Sequence, residues 1–581
     1  MYKTHSCSLG QQSLAIDLSN MAGVPLSGEE RSVVEVLRIR ALAAPDKTAF
    51  FVVESNTTIA EISNRALLEE ATALAGRLAA QGLRRGDFVL LAIETSAALL
   101  TALFGCLIGS FVPCVVEAPP ASADATDWAE RLAQRARYAN AKLVLVREDC
   151  CDVLTAAGCP AISIEALPEA RAVASGEISE TDPAFLQFTS GTTSQPKALL
   201  VDQRTLLSNV RGLAQARQWT HEDVIVSWLP LYHDMGLVGL TMTGFATGMT
   251  VVLMPSNLFT MNPVRWLWAI HTFGGTVSSA PNFAYQFVAS HAPEHRTRGL
   301  DLSRWRCAIN AAEFIQKRTI DLFTTRFEPH GFKREFFVSA YGLAECTVAA
   351  STTRPSDMLE FDMISRRRLI TEGVASAVDA SDADALPIAC VGPVLPGHDA
   401  RIVDNDGKTL PDRIQGQILL WGPSVVGRYY KEATPSNVHD GWLETGDLGY
   451  IDEGQLYITG RIKDLIIRAG ANISPYEIEQ VVGEVQGVRS GAVGAIGLPD
   501  PSKGTENLIV VFETTQKTSD VVEAMRQAIR ERLTQRLSIA VDHVFEVAPH
   551  TLQKTTSGKL QRVKLVQLAQ ERLKGSRTSA K

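Results

Sequence analysis

The sequence predicts an α/β fold in which a large layered N-terminal domain is followed by a β subdomain and a small α+β C-terminal domain. Helix-like and strand-like segments alternate from Arg31 to beyond Leu186, which is typical of a layered α/β domain. Short strands separated by turn sequences follow between Ala389 and Thr459, and the pattern changes again after Arg461. A chain of 581 residues has room for two to four domains of about 150 residues each.

Charge and cysteine content exclude several classes of protein. With a formal net charge of −8, the chain lacks the basic balance of a nucleic-acid-binding protein, so we expect no nucleic-acid partner. None of the nine cysteines has CxxC spacing, which argues against a zinc site or a disulfide framework and favours a reducing cytoplasm. The polar N-terminus predicts no signal peptide.

The first thirty residues are polar, and we interpret them as a loosely held arm. Helices and buried strands alternate after it, which predicts strands layered with helices. The predicted helices are Val33–Ala44, Ala66–Gln81 and Pro263–Thr272, and the predicted strands are Val89–Ile93, Leu143–Val146, Val224–Val226 and Val251–Leu253.

One uncharged segment, Thr95–Val116, is long enough to cross a membrane, which takes about 20 apolar residues. We favour another interpretation. A strand pattern at Phe88–Ile93, a helix pattern at Ala97–Ile108 and a further strand after Pro113 form one β-α-β unit. We therefore expect a buried helix and no membrane span.

The β subdomain is predicted within residues 390–460, with strands at Ala400–Val403, Gly416–Trp421 and Leu456–Ile458. The stretch before it, Ser351–Ala389, is the least periodic internal part of the chain. Its acidic run, Asp379–Asp384, suits a surface element, so we interpret the stretch as an insertion or a long functional loop.

The C-terminal domain, residues 463–581, is predicted to be an α+β module. Ser474-Pro475-Tyr476-Glu477 favours a helix start, with serine at the N-cap, proline at N1 and glutamate at N3. Strands at Val493–Ile496, Leu508–Phe512 and Val544–Val547 are expected to flank a helix at Asp520–Leu537. The stretch Lys554–Lys581 holds eight basic residues and one acidic residue, which suggests an anionic partner, although a basic tail is more often only solvated.

A loop rich in hydroxyl groups carries the first chemical signal. Phe188, at the end of a strand-like segment, is followed by Thr189-Ser190-Gly191-Thr192-Thr193-Ser194-Gln195-Pro196-Lys197. Hydroxyls and turn N–H groups can wrap a polyphosphate, and the lysine adds a positive charge. The loop lacks the GxxxxGK[ST] pattern of a P-loop, and alone it could be a surface turn.

Five further motifs follow this loop along the chain. They are Trp228-Leu229-Pro230-Leu231-Tyr232-His233-Asp234-Met235-Gly236-Leu237, Tyr341-Gly342-Leu343-Ala344-Glu345, Thr445-Gly446-Asp447, Gly460-Arg461-Ile462-Lys463-Asp464 and Thr556-Ser557-Gly558-Lys559. In this order and spacing, the six motifs resemble the AMP-forming adenylating superfamily of acyl-CoA synthetases, peptide-synthetase adenylation domains and luciferases. The resemblance covers nearly the whole chain.

Within that superfamily the sequence is most similar to fatty-acyl-AMP ligases. Asn310-Ala311-Ala312-Glu313 stands where these ligases usually have Asn-Gly-Ala-Glu, and Ser351–Ala389 falls where they carry an insertion that hinders a CoA-dependent step. Two departures leave the acceptor open. Gly470-Ala471-Asn472-Ile473-Ser474-Pro475 looks more like an ordinary acyl-CoA synthetase, and Ser194-Gln195 replaces the more common Gly-x.

The resemblance implies a role for each motif. It implies that Thr189–Lys197 binds the β- and γ-phosphates of ATP and that Asn310–Glu313 also lies in the nucleotide site. Tyr341 with Gly342 would contact adenine, and Asp447 would bind the ribose with Arg461 nearby. Glu345 would ligate Mg²⁺ together with Thr192. Lys559 would bridge the attacking carboxylate and the α-phosphate, His233 would gate the acyl site, and Lys463 would be the hinge of a mobile lid.

Each candidate also has a structural alternative. Tyr341 could be a core aromatic residue, His233 a hydrogen-bonded structural histidine, and Asp447 a turn cap. Glu345 could be a surface charge, yet it ends a largely apolar run in which an unpaired carboxylate is costly. Lys559 could be one of several lysines in a basic tail.

We therefore predict an enzyme that activates a fatty or other carboxylic acid as acyl-AMP, with ATP and Mg²⁺ as cofactors and pyrophosphate as product. Transfer of the acyl group to the phosphopantetheine thiol of an acyl carrier protein is the favoured second step. Transfer to CoA, as in an acyl-CoA synthetase, is the first alternative. A nucleotide sensor without catalysis is the second, and the presence of Glu345, Asp447 and Lys559 disfavours it.

Overall fold

A computed structural model describes the whole chain except residues 1, 7–20, 22, 56, 120–124, 172–175, 190–196, 427–428, 433–436, 469–470, 490, 501–504, 538, 555–559 and 579–581. It has a large N-terminal domain and a smaller C-terminal domain, both of mixed α/β structure, so the predicted fold class is confirmed. The proposed domain boundary at residues 462 and 463 falls in a short 3₁₀ turn, Ile462–Asp464, and stays a prediction.

A nine-stranded sheet forms the centre of the large domain. Its strands, in spatial order, are β1 Lys3–Ser6, β3 Thr58–Ser63, β2 Thr48–Val53, β11 Thr250–Leu253, β10 Val224–Ser227, β12 Val277–Ala280, β13 Cys307–Asn310, β14 Phe337–Tyr341 and β15 Ser351–Thr352. The six strands from β2 to β14 are parallel, and the pairing is antiparallel at both edges. Parallel strands end at one edge of a sheet, where open α/β folds bind their ligands.

Two findings at the edges of this sheet differ from the sequence prediction. Lys3–Ser6 belongs to the expected loose arm, but it pairs with β3 as an edge strand. Ser351 and Thr352 belong to the expected insertion, but they form β15 and are fully or almost fully buried. The predicted insertion would therefore begin after β15; it is called the inserted element here and stays a prediction.

Helices of the large domain pack against the sheets. They are α1 Val33–Ala43, α2 Asn64–Ala80, α3 Ala97–Ile108, α4 Thr126–Ala139, α5 Cys151–Ala156, α6 Gln203–Ala216, α7 Thr243–Ala246, α8 Ser256–Met261, α9 Val264–Phe273, α10 Asn282–His291, α11 Glu294–Thr297 and α12 Lys317–Phe327. The uncharged helix α3 is buried along nearly its whole length, as its β-α-β setting predicted. Among the described residues, no helix combines the length and the apolarity that a membrane crossing requires.

A second, four-stranded parallel sheet lies in the same domain, with the spatial order β5 Val112–Val115, β4 Phe88–Ala92, β6 Leu143–Val146 and β7 Ala161–Ser163. Beside it, β8 Pro183–Phe188 pairs antiparallel with β9 Ala198–Asp202. Thr189 N–H donates to the carbonyl of Lys197 at 2.9 Å, so both ends of the hydroxyl-rich loop are held together.

Regular structure occupies the stretch that lacked periodicity. The strands β16 Phe361–Ser365 and β17 Ala385–Ala389 form an antiparallel pair, and α13 Arg366–Glu372 follows β16. A five-stranded β subdomain comes next, with β18 Asp399–Val403, β19 Gly416–Trp421, β20 Val438–His439, β21 Trp442–Asp452 and β22 Gln455–Arg461. β22 is longer than the predicted strand and ends at Arg461, one residue before the turn that leads to the C-terminal domain.

The C-terminal domain, called the lid here, contains β23 Ile466–Arg468, β24 Ala471–Ile473, α14 Pro475–Gly483, β25 Val493–Asp500, β26 Thr505–Glu513, α15 Ser519–Leu537, β27 His543–Val547 and α16 Arg562–Thr578. Helix α14 begins where the sequence predicted, at Pro475. The expected capping contacts do not form, because the N3 residue Glu477 pairs with Arg366 of α13 at 2.8 Å. The Ser474 hydroxyl is buried without a hydrogen-bond partner among the described residues.

Candidate active site

A cleft of about 1380 Å³ lies between the large domain, the β subdomain and the lid. Its walls include residues at or just after the carboxyl ends of β12, β13 and β14, where a ligand site is expected in an open parallel sheet. The cleft brings together most of the residues predicted from the sequence. They are Thr189, Lys197, His233, Ala311, Ala312, Glu313, Tyr341, Gly342, Glu345, Asp447, Arg461 and Lys463.

Five predicted residues, Ser190, Gly191, Thr192, Thr193 and Lys559, lie outside the described residues. Asn310 is described and fully buried in β13, where its Nδ2 donates to Asn282 Oδ1 at 3.3 Å. The structure therefore puts Asn310 behind the cleft wall, whereas Ala311 to Glu313 line it.

Tyr341, Asp447 and Arg461 form a partly buried hydrogen-bonded cluster on the β-subdomain side. Asp447 and Arg461 are register partners on β21 and β22, and Tyr341 ends β14. The Tyr341 hydroxyl donates to Asp447 Oδ2 at 2.6 Å, and Arg461 Nε donates to Oδ1 at 2.6 Å. Asp447 is only 2% exposed, and its backbone N–H donates to Thr445 Oγ1 at 3.0 Å. The carboxylate is thus fixed in position by both strands.

Burial and charge set the ionisation of this cluster. Burial, reinforced by the negative charge of Asp447, holds the pKa of the Tyr341 phenol well above its usual range, so the hydroxyl stays a proton donor. Burial alone would lower the pKa of the Arg461 guanidinium, but the Asp447 carboxylate outweighs it and the net pKa is raised. Each carboxylate oxygen has two lone pairs, so Asp447 can still accept hydrogen bonds from a ligand.

Glu345 faces the cleft from a 3₁₀ turn, Ala344–Cys346, just after β14. Gly342, which precedes this turn, has no room for a side chain, because a Cβ there would lie 1.8 Å from the carbonyl oxygen of Val348. Thr347 at the end of the turn has a φ of +67°, which is rare for a β-branched residue. Close backbone packing and local strain therefore fix the direction of Glu345.

Tyr429 is a cleft residue that the sequence analysis missed. Its hydroxyl donates to Glu345 Oε1, and Lys197 Nζ lies 4.9 Å from the centre of its ring. Lys197 also forms an ion pair with Glu432 at 3.6 Å. Burial and the charge of Glu345 raise the pKa of Tyr429 well above its usual range, so the phenol is neutral. The sequence analysis could not have selected it, because Tyr429 and Tyr430 are adjacent tyrosines in an irregular segment. No local pattern shows that Tyr429 lines the cleft whereas Tyr430 packs in the core.

The His233 motif leads from β10 into a π-helix, Met235–Met242. A Cβ on Gly236 would lie 2.4 Å from the Pro230 carbonyl oxygen, so the tight turn here requires glycine. The Thr241 hydroxyl donates to the carbonyl of Gly236 at 2.8 Å, which satisfies a backbone group of the widened helix. π-Helical turns are frequent at functional sites, and this one presents His233 to the cleft.

The cleft lining includes a set of aromatic and aliphatic side chains, called the apolar arm here. They are Trp228, Leu229, Leu240, Phe259, Phe283, Phe314 and Ile315. The Trp228 and Phe259 rings stack 3.8 Å apart with an interplanar angle of 7°. Trp228 Nε1 is buried without a hydrogen-bond partner among the described residues. This wall suits a hydrocarbon better than a polar ligand, and burying apolar area releases about 25 cal/mol per Å².

The lid faces the cleft through Tyr476 and Glu479 of α14. The Tyr476 ring packs 4.5 Å from the ring of Phe314, and its hydroxyl donates to Asp464 Oδ2 at 2.9 Å. Arg562 Nη1 donates to Glu479 Oε1 at 2.7 Å, three residues after Lys559 in the sequence. Burial raises the pKa of Glu479 despite this arginine. The start of α16 is thereby tied to α14 and to the turn that carries Lys463.

A polar wall and an apolar arm in one cleft, at the carboxyl edge of a parallel sheet, are typical of an enzyme that brings a nucleotide and an apolar substrate together. Residues 37–430 match the family model described as AMP-binding enzyme. This match covers more than half of the chain, so the protein belongs to the AMP-binding enzyme family.

Relatives of known name or structure narrow this class. A protein of Caulobacter vibrioides, provisionally named an acyl-CoA synthetase, is 34% identical over 86% of this chain and 88% of its own length. A medium-chain-fatty-acid–[acyl-carrier-protein] ligase of Moorena producens is 30% identical over 92% of this chain and 94% of its own. One solved structure, from a study of fatty acyl-adenylate ligases of E. coli and L. pneumophila, matches with a TM-score of 0.88 and 29% identity over 95% of this chain and 100% of its own.

These similarities confirm that the protein is an AMP-forming ligase that uses ATP and is related to fatty-acyl-AMP ligases. The adenylating fold predicted from the six motifs is confirmed as well. The roles of the individual site residues stay predictions.

Proposed function

We propose that the protein activates a fatty acid as its acyl-AMP and then passes the acyl group to the phosphopantetheine thiol of an acyl carrier protein. One observation carries this proposal. The apolar arm lines the same cleft as the Tyr341–Asp447–Arg461 cluster, Lys197 and Glu345. A hydrocarbon tail and a nucleotide would then lie with their reacting groups together.

The chemistry of the first step explains the charged residues. A carboxylate is an anion that must attack another anion, the α-phosphate of ATP, so positive charge has to be in place before the reaction begins. In our proposal Lys197 neutralises the outer phosphates, and Lys559 bridges the attacking carboxylate and the α-phosphate. Asp447 accepts the ribose hydroxyls, and the Tyr341 ring contacts the adenine.

Glu345 is the proposed protein ligand of Mg²⁺, with Thr192 as a second. Mg²⁺ commonly binds through one or two carboxylates and shares its other positions with substrate phosphates, so the Glu345 carboxylate, which faces the cleft, fits this ion. When bound, Mg²⁺ would neutralise phosphate charge. Among the described residues, no group of three or more histidine, cysteine or acidic side chains forms a metal site by itself.

The proposal of a fatty acid rests on the apolar arm. Trp228 and Phe259 close one of its walls by stacking, and five further aromatic and aliphatic side chains belong to it. The acyl-carrier-protein ligase of Moorena producens acts on medium-chain fatty acids, which supports the same class of substrate here. His233, which lines the same cleft, is the proposed gate between acid and nucleotide.

The proposal of a carrier protein as acceptor rests on the inserted element. Its helix α13 contacts the lid through Arg366, whose Nε donates to Glu477 Oε2 at 2.8 Å and whose Nη1 donates to the carbonyl of Arg536 at 3.1 Å. Arg366 and Glu477 are 13% and 15% exposed, so their ion pair is largely desolvated. An element that binds the lid in this state opposes the rearrangement that a CoA-dependent step needs.

CoA remains the alternative acceptor, and one observation favours it. Arg318, Arg532 and Arg536 gather around Glu484 at the mouth of the cleft, with a local excess of positive charge. The fold assembles this cluster from α12 and α15, and its positive charge could bind the phosphates of CoA.

Product analysis tests the proposal. The protein is incubated with ATP, Mg²⁺ and a panel of acids, with CoA or with a phosphopantetheinylated acyl carrier protein, and the products are identified by mass spectrometry. We expect acyl-AMP from fatty acids and acyl-carrier protein as the main thioester. Acyl-CoA as the main thioester would favour the alternative, an acyl-CoA synthetase. If no acid supports pyrophosphate exchange, a nucleotide sensor is favoured instead.

A further inference from the structure

Tyr429 contacts two of the proposed phosphate- and metal-binding groups at once. Its hydroxyl donates to Glu345 Oε1, and the face of its ring lies 4.9 Å from Lys197 Nζ. Glu345 and Lys197 are 148 residues apart in the sequence, and Tyr429 contacts both. The side chain lines the cleft, so these contacts form at the site and not behind it.

The backbone around Tyr429 fixes this position from two sides. Tyr429 forms an antiparallel bridge with Leu199 of β9, and the N–H of Tyr430 donates to the carbonyl of Ala198 at 2.7 Å. On the other side, the N–H of Val426 donates to the carbonyl of Glu345 at 2.8 Å. The segment is thus anchored to the strand that follows Lys197 and to the turn that carries Glu345.

The next residue points the other way and offers a control. Tyr430 packs against Phe88, with ring centres 5.1 Å apart, and against Tyr138 at 5.9 Å, within the core of the four-stranded sheet. Side chains of successive residues in an extended segment point to opposite faces. Two adjacent tyrosines therefore differ in surroundings while sharing the same backbone.

We infer that Tyr429 is a positioning residue for the nucleotide-bound metal site: its hydroxyl orients the Glu345 carboxylate, and its ring holds the Lys197 ammonium. This inference rests on the proposed roles of Glu345 and Lys197. The hydroxyl engages Oε1, and a carboxylate has a second oxygen with which to ligate an ion. Partners that orient a metal ligand commonly change metal affinity by about 10- to 100-fold when they are lost.

The two contacts can be separated by substitution. Tyr429→Phe keeps the ring beside Lys197 and removes the hydrogen bond to Glu345. Tyr429→Leu removes both contacts. Tyr430→Phe removes a hydroxyl at the neighbouring position, away from Glu345 and Lys197. Thermal unfolding of each variant shows whether the fold is retained.

The experiment measures ATP binding by calorimetry, without acid substrate, in EDTA and in excess Mg²⁺. The ratio of the two dissociation constants is the enhancement of ATP affinity by Mg²⁺. We expect Tyr429→Phe to reduce this enhancement roughly tenfold, with ATP affinity in EDTA unchanged. Tyr429→Leu should also weaken binding in EDTA, and Tyr430→Phe should match the wild type.

An unchanged or increased enhancement in Tyr429→Phe would overturn the inference, as would a wild-type protein whose ATP affinity does not respond to Mg²⁺. An equal loss of the enhancement in Tyr430→Phe would show that Tyr429 has only a structural role, which would also overturn the inference. The proposed function fails separately, if the wild-type protein shows no acid-dependent pyrophosphate exchange. Because the calorimetry contains no acid, the two failures are distinguishable.

Discussion

The two sides of the cleft are held in different ways. On the large-domain side, Asp447 and Arg461 are paired across adjacent strands of one sheet, and Tyr341 completes the cluster from another sheet. On the lid side, every contact with the large domain described above involves a side chain of the large domain. These contacts are the Arg366–Glu477 and Arg318–Glu484 ion pairs, the hydrogen bond from Arg366 to the Arg536 carbonyl, and the packing of Tyr476 on Phe314. The first side is fixed by backbone hydrogen bonding, whereas the second can separate without breaking a sheet.

This difference suggests that the two sides of the cleft have different functions. A rigid wall can bind the nucleotide in the same way throughout the cycle, while a detachable lid can bring different groups to the same substrate in turn. The four predictions that follow test one side against the other, beginning with the largest expected effect.

The strongest effect is expected from a lid residue. Lys559→Ala should reduce acyl-adenylate formation by about 10²- to 10³-fold, the usual loss when one preorganised donor to a developing charge is removed. The melting temperature should stay close to that of the wild type. Single-turnover formation of acyl-AMP is the measurement, and Lys564→Ala on the exposed face of α16 is the control. Adenylation within tenfold of the wild type would remove Lys559 from the first step.

Asp447→Asn tests the rigid wall. It removes the charge that pairs with Arg461, which is 34% exposed, and should cost roughly 1.5–3 kcal/mol, the range for a hydrogen bond to a charged group. We expect weaker ATP binding together with a lower melting temperature, since the same carboxylate serves ligand and fold. Calorimetry and thermal unfolding measure the two effects. If ATP affinity falls while stability does not, the strands hold the site without this ion pair.

Lys463→Pro tests movement between the two sides. Proline fixes φ near about −65°, so a hinge that must change its backbone angles between the two steps should be blocked. Thioester formation should slow more than adenylation, with each step followed in a single turnover. Lys463→Ala serves as the control, because it removes the same charge and leaves the backbone free. Equal slowing of both steps by proline would place the pivot elsewhere.

The smallest effect is expected at the inserted element. Arg366→Ala should weaken the hold of α13 on the lid and raise acyl-CoA formation several-fold relative to acyl-carrier-protein formation. Burial already raises the pKa of Glu477 even with Arg366 beside it, so loss of the arginine should favour a state in which Glu477 meets water. Arg367→Ala, at the exposed neighbouring position, should leave the product ratio unchanged. If Arg366→Ala leaves the ratio of acyl-CoA to acyl-carrier protein unchanged, the contact of α13 with the lid does not determine the choice of acceptor.

Tyr341 and Asp447 were predicted as site residues from their motifs alone, and the fold brings both to the cleft, Tyr341 at the end of β14 and Asp447 within β21. Their roles in the cleft stay predictions. The sequence analysis missed Tyr429 because the position of this residue depends on a β-bridge to Leu199, which is distant in the sequence. The helix start at Pro475 was predicted correctly, but its capping box was not formed, because Arg366 from another domain attracts Glu477. Local sequence patterns do not reveal long-range ion pairs of this kind.

The Ser351–Ala389 stretch shows the same limit. Its lack of periodicity suggested a loop, yet β16, α13 and β17 are regular elements, each too short to produce a repeat that can be detected. Asn310 shows the converse, since a residue in a recognised motif lies in the core while its neighbours line the cleft.

The most direct test of the account is a competition for the acyl group. The wild-type protein is supplied with ATP, Mg²⁺, one fatty acid that it adenylates, and equal concentrations of CoA and phosphopantetheinylated acyl carrier protein. Intact-mass measurement of the carrier protein and chromatography of the CoA esters give the two initial rates together. We predict that acyl-carrier protein accumulates while acyl-CoA stays a minor product. Acyl-CoA as the main product would contradict the account and identify an acyl-CoA synthetase.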